Sequence, residues 1–437
     1  MNKKKSPLGI VSASNRNPSR QFKQALQQLR SHDGYLGCSE SNAFFHTLAS
    51  MIDHLSNSEV EPHEGIELLL DFFRTDAHVF NSCDDSNGTV GNVYTIDACD
   101  LFVQYAAAYN DKRWIADSVV DLYRKDDFGV RYELVHRAKE YLPVDILSSM
   151  SETFWREVDL QNTEYGKRHY LMAIETIARQ SNNPSLFEKA ALARMGKQVN
   201  SATYVTIAQA YLEASDALTA LSWLKKIPEG TNFYGDKRDN TMFAVYAKLG
   251  MKKEQSIVAW RIFRRSRCPE TLNLLLSVIG EHELSRVVEE EIKLLLAMTE
   301  MKLHDVQFIL HMGYVSKAEE LVLSHAHQLD ESQYYSILPL IDIFEENERY
   351  LTTSILYRSL VDSILERGIS KYYHHAVRYM KHLNRLEPLV EHWRGFQSHD
   401  EYTGNLFELH ARKSSFWDKM GTGKTIAKPL KRRIGDW

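Results

Sequence analysis

Cysteine is scarce: Cys38, Cys83, Cys99 and Cys268 are the only four in 437 residues, with no C-x-x-C and no close pair. That excludes a disulfide framework and reads as reduced thiols in the cytoplasm. Long apolar runs are also missing. The stretch Leu274-Leu275-Leu276 with Val278-Ile279 falls far short of the roughly 20 apolar residues of a membrane span. Lys3-Lys4-Lys5 is followed by no apolar segment, so residues 1–20 read as a disordered polar arm rather than a signal peptide. Neither sign of charge dominates. With 53 basic against 58 acidic side chains the net charge is −5, which argues against a dedicated nucleic-acid coat and leaves room only for a local basic patch. Proline is limited to ten residues, and Pro62, Pro143, Pro184, Pro228, Pro269 and Pro388 stand where helices should begin or end. Alternating strand patterns are scarce, and the single Asn-Gly, Asn87-Gly88, is not framed by strands.

Helical periodicity is what the chain has instead. Apolar residues at 43% and charged residues at 25% are ordinary globular values, and the length suits two or three domains or one repeat array. Ala217, Leu221, Leu224 and Ile227 share a helix face behind a Ser215 cap and Asp216. Val288, Ile292 and Leu295 do so behind Ser285, and Leu351, Ile355, Leu360 and Ile364 trace a third face. Tyr334 to Phe344 is apolar all round, as in a helix packed between neighbours. From about residue 200 the helices pair: 201–212 with 215–227, 239–249 with 253–266, 270–279 with 284–298, 301–311 with 315–328, and 333–346 with 350–367. The pair spacing is that of tetratricopeptide-like arrays, without their early Trp and Leu-Gly. The expected fold is therefore all-α, an αα superhelix of degenerate tetratricopeptide-like helix pairs. Residues 21–195 form an N-terminal helical region, 196–420 a helical-repeat region with C-terminal capping helices, and 421–437 a basic flexible tail.

Several motifs carry chemistry on paper and are outweighed by plainer readings. Met420-Gly421-Thr422-Gly423-Lys424-Thr425 ends like a P-loop, but Asp418 stands where the first glycine belongs and only twelve residues follow. Cys83 to Gly88 resembles a calcium loop, but Cys83 and Tyr94 occupy positions that need Asp and Glu. Its plainer reading is a turn with positive φ at Asn87-Gly88 that caps a helix starting near Val90. Among 18 histidines no H-x-x-x-H occurs. His282, His304-Asp305 and Asp330 can be read as an HD-type metal phosphohydrolase set, with His32-Asp33 and His399-Asp400 as other doublets, but spacing alone does not make ligands converge. His375, Arg378 and His382 share a helix stripe that suits an anion, or a neighbouring helix. Arg412 and Lys413, with Lys424, Lys428, Lys431, Arg432 and Arg433 around Phe416 and Trp417, make the end locally basic.

The C-terminal block carries a resemblance. Tyr373, His375, Ala376, Arg378, Ser398, His399, Tyr402, His410, Arg412, Lys413, Phe416 and Trp417 match the ending of a bacterial family of unknown function. Upstream, Asp84-Asp85-Ser86, Gly88-Thr89-Val90-Gly91, Val93-Tyr94 and Ala98-Cys99 match as well, so the likeness spans about residues 25–418. Tyr372 stands where that family more often has a basic residue. The last block is also similar to the C-terminal region of some SWIM zinc-finger proteins, but the zinc motif itself is absent. The resemblance implies an all-helical repeat fold and no assigned activity.

The expected function is a non-enzymatic scaffold, without cofactor or metal, that binds another protein or peptide along a concave face. Asp84, Asp85, Ser86, Gly88, Gly91, Tyr373, His375, Arg378, His399, Tyr402, His410, Arg412, Lys413 and Trp417 are its candidate interaction or end-cap residues. The alternatives are nucleic-acid binding through the basic C-terminus, and a cryptic metal-dependent hydrolase.

Overall fold

Prolines do punctuate the helices. Pro18, Pro62, Pro184 and Pro269 each occupy a first turn, where the missing N–H costs no helical bond. The computed structural model describes residues 17–31, 34–228, 230–231, 234–329 and 333–421. Among them the only non-helical pairing is an isolated bridge between Leu36 and Cys83. The chain divides into two compact units, Met1–Gly250 and Met251–Trp437.

The first unit comprises α1 (Pro18–Arg30), α2 (Cys38–Ser56), α3 (Pro62–Phe73), α4 (Asp76–Ser82), α5 (Thr89–Asn92), α6 (Cys99–Ala108), α7 (Lys112–Tyr123), α8 (Tyr132–His136), α9 (Val144–Leu160), α10 (Glu164–Gln180), α11 (Pro184–Met195), α12 (Ser201–Glu213), α13 (Ala217–Leu224) and α14 (Gly235–Lys248). A π-helical segment, Val93–Ala98, joins α5 to α6. Successive helices pack on one another from α9 to α14, and α3 packs on α6. Phe72, Phe73, Tyr94, Phe102 and Phe154 are fully buried, and the Phe72 and Tyr94 rings stack with centroids 4.5 Å apart. α1 begins inside the segment expected as a polar arm, because the Asn17 side chain accepts from the Ser19 amide and Pro18 presets the first turn. The cap of α13 is Asp216, not Ser215. Ser215 takes a left-handed conformation (φ 66°), which turns the Asp216 carboxylate onto the Thr219 amide at 3.0 Å.

The second unit comprises α15 (Lys252–Arg265), α16 (Pro269–Ile279), α17 (Leu284–Ala297), α18 (Leu303–His311), α19 (Val315–Ser324), α20 (Tyr334–Glu346), α21 (Tyr350–Arg367), α22 (Tyr373–Leu386), α23 (His399–His410) and α24 (Ser414–Met420). Helices expected from residue 201 onward lie where the periodicity puts them, to within a few residues at most ends. α15 packs on α16, α18 on α19, and α20 on α21. The burial expected for Tyr334–Phe344 belongs instead to α21. That helix receives α19, α20 and α22 and buries every residue from Leu351 to Arg358, whereas Tyr335 of α20 is 87% exposed. A buried charge network ties the earlier helices. Glu291 meets Arg264 at 2.7 Å and Arg267 at 2.8 Å, and Arg267 reaches Asp305 at 3.1 Å.

Candidate functional site

The loop expected as a turn is one. Gly88 adopts φ 71°, open to glycine without a steric penalty, and α5 starts at the next residue. The Asp85 carboxylate accepts from the Val90 amide at 2.8 Å and from the Gly91 amide at 2.9 Å. A Cβ on Gly91 would stand 3.2 Å from that carboxylate, so glycine lets it approach. Asp84 accepts from the Ser86 amide at 3.0 Å, which holds its carboxyl below the usual range. These acidic side chains are spent on their own backbone, and the loop lies in the first unit while every other candidate lies in the second.

The C-terminal residues separate into three groups. Tyr373 packs its ring on Phe416, and Trp417 packs on Phe407 while its indole N–H donates to the His410 carbonyl at 2.9 Å. The Lys413 ammonium donates to the Leu365 carbonyl at the last turn of α21, where a cation complements the helix dipole. This group fixes α24 and the end of α21. Arg412 is exposed. His375 and Arg378 lie on α22, with Arg378 exposed and its guanidinium over the Tyr379 ring at 5.2 Å. Burial, followed by His374 and Arg378, lowers the pKa of His375. His382, the third member of the stripe, stacks on Tyr357 instead.

His399 and Tyr402 form the third group, and they converge on a residue that periodicity does not single out. Arg358 of α21 is 6% exposed. Its guanidinium lies over the rings of Trp393 and Tyr402, at 4.4 and 4.5 Å. Nη1 donates to the Gln397 carbonyl at 2.7 Å, while Nε and Nη2 have no hydrogen-bond partner among the described residues. Burial pushes the Arg358 pKa down to about 10. One turn on, Asp362 accepts from the Tyr402 hydroxyl at 2.7 Å, and burial raises its carboxyl to about 6. His399 sits 2.8 Å from Asn384 Oδ1 through Nε2, its Nδ1 is unpartnered, and burial followed by Arg358 keeps its pKa low.

The segment 390–398 that supplies Trp393 and Gln397 also borders an open cleft of about 690 Å³. Its Arg394 and Gly395 are both left-handed, at φ 46° and 87°. Ser316, Glu319 and Glu320 of α19 line the cleft, with Arg349, Arg394 and Phe396. Glu319 is buried at the floor, 3.9 Å from Arg349 Nη1 and 3.8 Å from Arg394 Nη1.

A family model matches residues 11–419. The chain belongs to DUF6880. That is a family of unknown function, in keeping with the resemblance seen in the C-terminal block. No curated protein matches this DUF6880 chain. Among its described residues no three His, Cys, Asp or Glu side chains cluster to hold a metal ion. Of the HD-type set, Asp305 is engaged by Arg267 and His282 faces Glu283 at 3.3 Å, while Asp330 lies outside the described residues, as does His32-Asp33. The basic residues from Lys424 to Arg433 and most of the P-loop-like sequence also lie outside them. Among the described residues no helix is long and apolar enough to cross a membrane.

Arg358, Asp362 and Trp393, and the cleft residues Glu319, Arg349 and Arg394, are site residues that sequence reasoning missed. The available signal was an arginine inside an otherwise apolar and hydroxyl-bearing helix, Leu351 to Val361, where a surface helix would have shown more charge.

Proposed function

We propose that this DUF6880 chain is a non-enzymatic, cytoplasmic scaffold whose tetratricopeptide-like helix pairs bind another protein or peptide, and that the cleft between α19 and the 390–398 segment is its docking site. The observation carrying this reading is the cleft's charge arrangement. Glu319 accepts a bond from the Thr352 hydroxyl at 3.4 Å, and Arg349 Nη2 donates to the Ser316 hydroxyl at 3.3 Å. Glu319 still lies just outside hydrogen-bonding reach of both arginines, so carboxylate and guanidinium keep further bonding capacity for a polypeptide carrying both signs of charge. Glu319 is fixed on α19 and Arg349 stands at the N-cap of α21, so these two groups are presented with little ordering cost on binding. The free thiols of Cys83, Cys99 and Cys268 support a reducing compartment.

The test is selection of a displayed random-peptide library on the full chain, followed by affinity measurement on wild type and a Glu319→Gln/Arg394→Ala double variant. Enriched peptides should bind the double variant at least ten-fold more weakly. Peptides that bind both proteins equally, or no enrichment at all, would contradict the reading.

A further inference from the structure

Three arginines of this chain show how it holds carboxylates. Arg131 grips Asp76 with Nε at 2.8 Å and Nη2 at 2.6 Å. Arg194 takes Glu175 with Nε at 2.5 Å and Nη2 at 3.1 Å. Arg137 takes Glu140 with Nε at 2.7 Å and Nη2 at 2.8 Å. All three use the guanidinium edge that carries Nε and Nη2, whose parallel N–H bonds match the two oxygens of a carboxylate.

Arg358 holds back that same edge. Its third nitrogen is committed to Gln397, and its flat face is held by Trp393 and Tyr402, so the orientation of the fork is fixed. A nearly fully buried guanidinium with two idle donors is costly unless something meets it, because buried polar groups are ordinarily paired and a buried charge needs a counter-charge. The neighbouring carboxylate, Asp362, is bonded to Tyr402 instead. His399, 9% exposed, adds an unpartnered Nδ1.

We propose that the Nε/Nη2 edge of Arg358, with His399 beside it, is the binding site for a carboxylate supplied from outside the chain, either a small organic acid or a carboxyl group of a polypeptide. The covering segment 390–398 is held to α21 through Arg358 itself, by the Gln397 carbonyl and the Trp393 ring, so ligand access and the seating of that segment are coupled. This site uses none of the cleft groups that carry the docking proposal, and it stands or falls separately.

The test titrates the full chain, at constant ionic strength against chloride, with acetate, succinate, inorganic phosphate, and a short peptide made with a free and an amidated C-terminus. Thermal melting and the arginine Nε–H resonances are followed in wild type, Arg358→Met and Arg358→Lys. Carboxylates should give a saturable rise in melting temperature and shift one Nε–H resonance, and both responses should vanish in Arg358→Met and weaken at least ten-fold in Arg358→Lys. A ten-fold preference for the free over the amidated peptide identifies a polypeptide source, and equal response to succinate alone identifies a small acid. No saturable response in wild type, a response that Arg358→Met retains, or phosphate acting at lower concentration than the carboxylates would overturn the assignment. If Arg358→Met folds poorly, Arg358→Lys and the wild-type Nε–H shift carry the test, and loss of this site with intact cleft binding would leave the docking proposal standing.

Discussion

Arg131 closes on Asp76 edge to edge, with side-chain exposures of 6% and 1%, and spends its remaining nitrogen on the Leu122 carbonyl at 2.9 Å. Every nitrogen of that guanidinium is therefore matched, which is the condition under which a buried ion pair holds a structure together. Asp76→Ala should leave an uncompensated buried cation and cost the first unit about 3–5 kcal/mol. Urea denaturation followed by far-UV circular dichroism reads this. A loss under about 1 kcal/mol would mean that solvent reaches the pair.

Asp362 makes stability depend on pH in a definite direction. In the folded protein burial holds its proton up to about 6, against an ordinary value of 3.8. An acid with a raised folded pKa stabilises the fold when protonated. Its contribution is thus fully present below the unfolded value and is lost as pH rises through about 6. A rise of that size is worth roughly 3 kcal/mol at most. The urea midpoints of wild type and Asp362→Asn should converge near pH 4 and diverge by pH 7, with the variant relatively more stable. Parallel curves across that range would mean that Asp362 does not set this dependence.

The Asp84–Gly91 turn is predicted to be a helix cap. Asp85→Ala removes the acceptor for the Val90 and Gly91 amides and should cost about 1 kcal/mol, the usual worth of an N-cap. Differential scanning calorimetry with calcium and with chelator should give the same melting temperature for wild type. A calcium-dependent rise would restore the calcium-loop reading.

Trp417 is predicted to be an end closure. It is 6% exposed, and Trp417→Ala should cost about 3–5 kcal/mol while leaving the affinity of cleft-selected peptides within two-fold. Isothermal calorimetry on the folded fraction separates the two effects. A large loss of affinity without a loss of stability would make the C-terminal block a recognition surface instead.

These assignments follow the line between what a linear pattern encodes and what only packing decides. The helix starts at Pro62, Pro184 and Pro269 were legible because proline acts through local geometry, whereas the start at Pro18 was hidden in a polar stretch. The cap at Asp216 differs from expectation by one residue because a single left-handed Ser215 shifts it. Which of α20 and α21 is packed on more sides was not legible, since both are rich in apolar residues and only the arrival of α19 and α22 distinguishes them. His399 and Tyr402 stood out through the family resemblance. Arg358 did not, because an arginine in sequence looks alike whether it snorkels to solvent or lies under a tryptophan. Trp393 comes from a segment without periodicity, and its role exists only where 390–398 folds back over α21.

Docking in the cleft is tested most sharply by hydrogen exchange of the full chain with and without a library-selected peptide, resolved by mass spectrometry. Protection is predicted to be confined to residues 315–324, 349–358 and 390–402, the segments that line the cleft and seat its border. Protection centred on 373–382 or on 84–91, with those three segments unchanged, would contradict it.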